Sequence, residues 1–267
     1  MTEVTFERAC AAVRDVLPRL TDILRTRPDP AAVAVGSWTL GDVAAHLSHV
    51  MDKDTAAVAQ EPLPGIPLRP DAVAELTEEM LAADAERDPG ALAGRLDQRA
   101  KAFVELAPPD RPVAWIGGIE IPASAVACHL LLETLVHGYD VATAAGMPWL
   151  IDPAHAALAI TGGVVPIIRA SPQSWISSRR DPSARARVQI RLRGHTRFVL
   201  DLGDTLSIEM PPGDRHCGTY VSADPGALLL IMLGRVSPIR ALLHGKVLAW
   251  GRRPAAVFTL LDNLTPP

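Results

Sequence analysis

The chain has 267 residues, more than one ordinary helical bundle needs and enough for two domains whose core requires no disulfide. Lysine and arginine total 26 against 30 acidic residues, a formal net charge of −4, so no broad positive field exists to hold nucleic acid or anionic lipid. Hydrophobic residues make up 48% but aromatic residues only 4%, a balance that suits close-packed helices better than an all-β sandwich.

The first ten residues, MTEVTFERAC, lack a basic segment followed by an apolar core, and no uninterrupted apolar run approaches the roughly 18 residues a membrane span needs. A cytoplasmic location without a membrane span is expected. Cys10, Cys128 and Cys217 are far apart and form no C-x-x-C pair, so they read as buried small hydrophobes, not as disulfides, metal ligands or nucleophiles.

In chain order, Val13, Leu17, Leu20 and Leu24 recur at helical spacing and predict a first helix over Phe6–Leu24 that Pro18 can bend. Arg27-Pro28-Asp29-Pro30 ends it. A second helix begins at Thr39, because Thr39 and Asp42 have the spacing of a capping box, and it runs to about Gln60. Residues 61–70 (EPLPGIPLRP) predict a loop that covers one end of the bundle. Residues 71–106 are helical, with Asp88-Pro89-Gly90 leaving open whether they form two helices or one broken helix. After a turn at Trp115–Gly118, Pro122 opens a helix that runs to Ala145, and Asp152-Pro153 opens another that reaches Ile168.

Residues 171–183 then read as an interdomain linker. Beyond it Val188, Ile190 and Leu192 alternate with polar residues, turn at Gly194-His195, and continue into Phe198, Leu200 and Leu202 as a β-hairpin. Further strands fall at Leu206–Met210, Thr219–Ser222 and Val247–Trp250, with helices from Asp224-Pro225 to Leu233 and from Pro254 to Leu261. The fold class is therefore α+β: a helical bundle over residues 1–170 and a small mixed α/β domain over 185–267.

The chemistry lies on two helices. Val126, Leu130, Glu133, His137 and Val141 form one interior-facing stripe, and an ionised Glu133 there is costly unless paired or bound to metal. Val43, His46 and Val50 form a second stripe with an imidazole in its middle. Two imidazoles and one carboxylate suit zinc or another divalent ion and leave a position open for water or substrate. A Glu133–histidine pair that fixes helix register without metal is the bland alternative. His49 and His129 each lie one turn from a favoured ligand but off these stripes. Asp140 and Asp42 are candidates to orient ligands, against plainer roles as helix-end charges. Trp38 either lines the cleft or staples its helix.

The segments Trp38–Leu47 (WTLGDVAAHL) and Leu132–Ala142 (LETLVHGYDVA) resemble the mycothiol-dependent maleylpyruvate isomerase family, within the DinB-like superfamily. The resemblance implies a DinB-like four-helix bundle that binds zinc through positions matching His46, Glu133 and His137, and a sterol-carrier-like C-terminal domain. It implies mycothiol as cofactor, with the metal presenting its sulfur as a thiolate to an electrophilic small molecule, for isomerisation or S-transfer. The related isomerase uses an arginine of its second domain in catalysis. Leu233-Gly234-Arg235 resembles that stretch, which makes Arg235 the implied catalytic cation and a candidate clamp for a substrate carboxylate, with Arg240 and Arg252 as alternatives. The rival readings are a carrier whose α/β domain binds an apolar molecule, and a scaffold recruited to a different biosynthetic reaction.

Overall fold

The structure, a computed structural model, describes residues 3–265. Helix α1 (Phe6–Arg25) starts at Thr5, whose hydroxyl accepts the Arg8 N–H at 3.2 Å, and runs unbroken through Pro18. A two-stranded hairpin, β1 (Val33–Val35) and β2 (Trp38–Thr39), leads into α2 (Leu40–Ala59). The expected capping box is present: Thr39 Oγ1 accepts the Asp42 N–H at 3.2 Å, and the Asp42 carboxylate accepts the Thr39 N–H at 3.0 Å. The stretch over residues 71–106 resolves into two helices, α3 (Pro70–Ala83) and α4 (Pro89–Val104). Pro89 cannot donate into a continuing helix, and Asp88 caps the new one by accepting the Ala91 N–H.

A second hairpin, β3 (Val113–Ala114) and β4 (Glu120–Ile121), carries the predicted turn. Gly117 sits there at φ 77°, and a Cβ on it would lie 2.5 Å from Leu68. Only glycine lets this turn close onto the proline-rich loop. Pro122 then leads into α5 (Ala123–Ala144). This helix is buried on nearly every side, which explains its Ala- and Leu-rich sequence. α1 and α2 each pack against both α4 and α5, forming the four-helix bundle, while α3 lies outside against α2.

The run Pro153–Ala170 comprises α6 (Pro153–Ala159), a π-helical turn at Ile160–Val164 and α7 (Val165–Ala170). The π turn precedes Pro166, which has no N–H and crowds the carbonyl four residues back; the wider turn accommodates both effects. By length and composition this run could cross a membrane, but 61% of it is buried within the protein. It packs against α5 on one side and, from the C-terminal part of the chain, against residues 206–209 and 225–232 on the other.

The stretch expected as a linker is tied down. Trp175 is buried, Ile176 bridges to Leu264, and the Ser177 N–H donates to Asn263 O at 3.0 Å. The remaining strands are β5 (Ala186–Leu192), β6 (Arg197–Leu202), β7 (Leu206–Glu209), β8 (Thr219–Ala223) and β9 (Val247–Gly251), in the order β7-β6-β5-β8-β9. β5 and β6 form the predicted hairpin, with Ala186 opposite Leu202, and β5 and β8 are parallel. Helices α8 (Pro225–Met232), α9 (Pro238–Leu243) and α10 (Ala256–Asn263) complete the α+β fold. The sequence reading missed α9 and the four short strands β1, β2, β3 and β4. Each is too short to show a period.

Candidate metal centre and its cavity

His46 on α2 and Glu133 and His137 on α5 bring one ligand atom each to within 4.8 Å of the other two. The two imidazole Nε2 atoms converge on one carboxylate oxygen, Glu133 Oε2, at 3.6 Å from His46 and 3.1 Å from His137. Ligands about 2.0–2.1 Å from a tetrahedral zinc stand roughly 3.4 Å apart, so this donor set matches such an ion in chemistry and in spacing. His46 Nδ1, the ring nitrogen turned away from the cluster, is buried without a hydrogen-bond partner among the described residues.

Asp140 orients one candidate ligand. Its Oδ2 accepts the His137 Nδ1–H at 3.0 Å, which turns Nε2 toward Glu133. The same carboxylate, 2% exposed, is gripped by Arg235 from the C-terminal part of the chain: Nε donates to Oδ1 at 3.1 Å and Nη2 to Oδ2 at 2.9 Å. A third guanidinium N–H is committed to the Leu233 carbonyl at 2.7 Å. Arg235 thus lies at the site, bound to Asp140 through a paired contact of the kind expected for a substrate.

Glu133 has a further neighbour. His129 Nε2 is 3.4 Å from Oε1, and its Nδ1–H donates to the fully buried Asp54 at 2.8 Å. The other Asp54 oxygen accepts the Trp115 indole N–H at 2.9 Å. The protonation states diverge accordingly. Burial holds His46 down at about 4, against the opposing pull of Glu133. Burial also works against charge on His137, but the bonds to Asp140 and Glu133 outweigh it and lift that group to about 9. Burial would raise Glu133, yet hydrogen bonding with His137 and His46 and the nearby charge of His129 keep its carboxyl well below the usual range.

These groups form one end of a 360 Å³ cavity that is otherwise largely apolar. Trp38 lines it and packs against the His46 ring at 4.9 Å between centroids. Leu68 from the proline-rich loop and Val73 and Thr77 from α3 close one side, as expected of a covering loop, and Trp175 lines another.

Other candidates lie elsewhere. His49 donates its Nε2–H to Asp84 at 2.9 Å, and Arg95 binds the same carboxylate, outside the cavity. Asp42 serves the cap and pairs with Arg87 at 2.7 Å. Arg240 and Arg252 line separate clefts.

Lys53, Asp54, Trp115 and Trp175 were not singled out from sequence. Lys53 carried a usable signal, since it follows His46 by seven residues on the same helical stripe. Trp175 carried none, because its position depends on how the supposed linker packs.

Residues 6–142, just over half the chain, match the family described as "Mycothiol maleylpyruvate isomerase N-terminal domain". Among solved structures the fold is similar to that of the mycothiol-dependent maleylpyruvate isomerase, at 16% identity and a TM-score of 0.55, covering 89% of this chain and 94% of that one. A histidine-to-alanine mutant of that enzyme matches at 16% identity and a TM-score of 0.56, covering 93% and 95%. No curated protein sequence matches the chain. The matched segment carries both helices that contribute His46, Glu133 and His137, and the chain belongs to the mycothiol maleylpyruvate isomerase N-terminal domain family.

Proposed function

We propose that this protein is a divalent-metal enzyme, with zinc the expected ion, that uses a low-molecular-weight thiol such as mycothiol to attack an electrophilic small molecule. The observation that carries this reading is the convergence of two imidazoles and one carboxylate at the end of an apolar cavity large enough for a small ligand. His46, Glu133 and His137 would hold the ion, with no fourth protein ligand in the cluster among the described residues, which leaves a position for the thiol. When bound, the ion would lower the pKa of the thiol sulfur so that the thiolate prevails near neutral pH.

The surrounding residues supply orientation and shelter. Asp140 keeps the proton of His137 on Nδ1, and Arg235 fixes Asp140, so Arg235 acts in this reading as a positioning residue. Trp38, Trp115 and the apolar walls exclude water from the thiolate and its target. Addition of sulfur across an activated double bond, rotation and loss of the thiol amount to isomerisation; retention of the sulfur amounts to S-transfer. A cytoplasmic setting, where thiols stay reduced, suits both outcomes.

Elemental analysis of untagged protein tests the reading, with Glu133→Gln and a His46→Ala, His137→Ala double variant alongside. About one zinc or similar ion per chain is expected in the wild type, lost in the double variant, with thiol-dependent turnover abolished by Glu133→Gln in a folded protein. Wild-type protein that stays metal-free after incubation with zinc would overturn it and favour a carrier.

A further inference from the structure

Two basic side chains line the cavity, Arg235 and Lys53. Arg235 is committed to Asp140 and to the Leu233 carbonyl. Lys53 is only 8% exposed, and among the described residues no carboxylate forms an ion pair with its ammonium. Asp54 and Glu133 act on it only through longer-range attraction. Both are already engaged, Asp54 by Trp115 and His129, and Glu133 by His46, His129 and His137. A lysine this buried without a close carboxylate is rarely retained in a structural role, and its Nζ, not fully enclosed, belongs to the lining of the cavity.

The position of Lys53 gives that charge a direction. It lies two turns after His46 on the face of α2 that also carries Val50, and all three residues line the cavity. Helical side chains lean toward the N-terminus, which for Lys53 is the direction of His46. Its charge is felt at His46 and at His129. An anionic group held there would stand beside the metal-binding cluster, with the apolar part of the cavity left for the rest of the molecule.

We infer that Lys53 is a specificity-determining residue that receives a carboxylate of the electrophile, so that the enzyme takes anionic substrates whose acid group lies a few atoms from the carbon that accepts sulfur. This inference rests on the proposed function for the identity of the second reactant, and on geometry alone for the anion site.

The test uses maleate, a small dicarboxylate, and its uncharged dimethyl ester as probes of full-length protein, read by quenching of the cavity tryptophans Trp38, Trp115 and Trp175. Wild type is expected to bind maleate in preference to the ester. Lys53→Met should weaken maleate binding at least about tenfold, the loss of one charge-assisted contact, while Lys53→Arg retains it and the ester is indifferent to both changes. Lys53→Gln serves if the Met variant does not fold. Maleate binding by the Met or Gln variant equal to wild type, or no preference for maleate over the ester in wild type, would overturn the assignment. Zinc content measured on the same samples separates the two claims: Lys53-dependent maleate binding by protein that takes up no zinc would leave the anion site standing and remove the metal centre.

Discussion

Asp140→Asn tests the junction between the bundle and the C-terminal part of the chain. The change keeps the shape but removes the charge that both His137 and Arg235 use, in a residue 2% exposed. Breaking a fully buried ion pair by removing one partner costs about 3–5 kcal/mol. The Arg235 side chain retains 19% exposure and can be partly solvated, so about 2–3 kcal/mol is expected here. At roughly 2–4 °C per kcal/mol for a chain of this size, the melting temperature should fall by about 5–10 °C. Asparagine also presents an N–H₂ that can leave His137 in the wrong tautomer, and loss of such an orienting carboxylate typically weakens metal binding about 10–100-fold. Thermal unfolding reads the first effect and chelator competition for zinc reads the second. In a double-mutant cycle with Arg235→Ala, the stability losses should be strongly non-additive. Additive losses, or an Asp140→Asn variant with wild-type melting temperature and zinc affinity, would refute the chain of positioning from Arg235 to His137.

Four further outcomes are expected. Zinc must displace the proton that His137 holds up to a pKa of about 9, so zinc affinity should fall roughly tenfold per pH unit below that value; His46, held at about 4, adds nothing above pH 5. In metal-free protein the sign reverses: the raised His137 pKa contributes stability fully present below its unfolded value near 6.5 and lost as pH rises through about 9, so a melting temperature that climbs over that interval would contradict the assignment. Gly138→Ala would put a Cβ 2.1 Å from the Trp149 ring and should destabilise by about 1–3 kcal/mol through overpacking, measured by denaturant unfolding. Burial pushes the Cys10 and Cys128 thiols up to about 11 and about 12, so both should resist alkylation at pH 7 until the protein unfolds, as followed by mass spectrometry.

The helix starts were legible because their chemistry is local. Thr39 with Asp42, Asp152 before Pro153 and Asp224 before Pro225 each satisfy free amide groups within three residues. The stripe containing Glu133 and His137 was legible for a similar reason, since residues four apart on a helix project together whatever packs against them. His46 was legible in the same way, as the imidazole in the middle of the Val43–Val50 stripe, and the resemblance of the two segments then strengthened its pairing with Glu133 and His137. His129 illustrates the limit. Counted from sequence it lay off the stripe, yet in the folded chain Asp54, from another helix, turns its ring toward Glu133.

By itself the sequence determined the α+β class, most element positions and the three candidate ligands, because backbone capping, helical period and the cost of burying charge all act over a few residues. Only the tertiary structure decided which cation is engaged and which is left over. Arg235 and Asp140 are 95 residues apart, Trp175 reaches the cavity from a stretch with no periodic signal, and Lys53 has no ion-pair partner among the described residues, the two carboxylates that act on it being engaged by groups on other elements. Such competition among distant side chains is settled by packing, which no local pattern encodes.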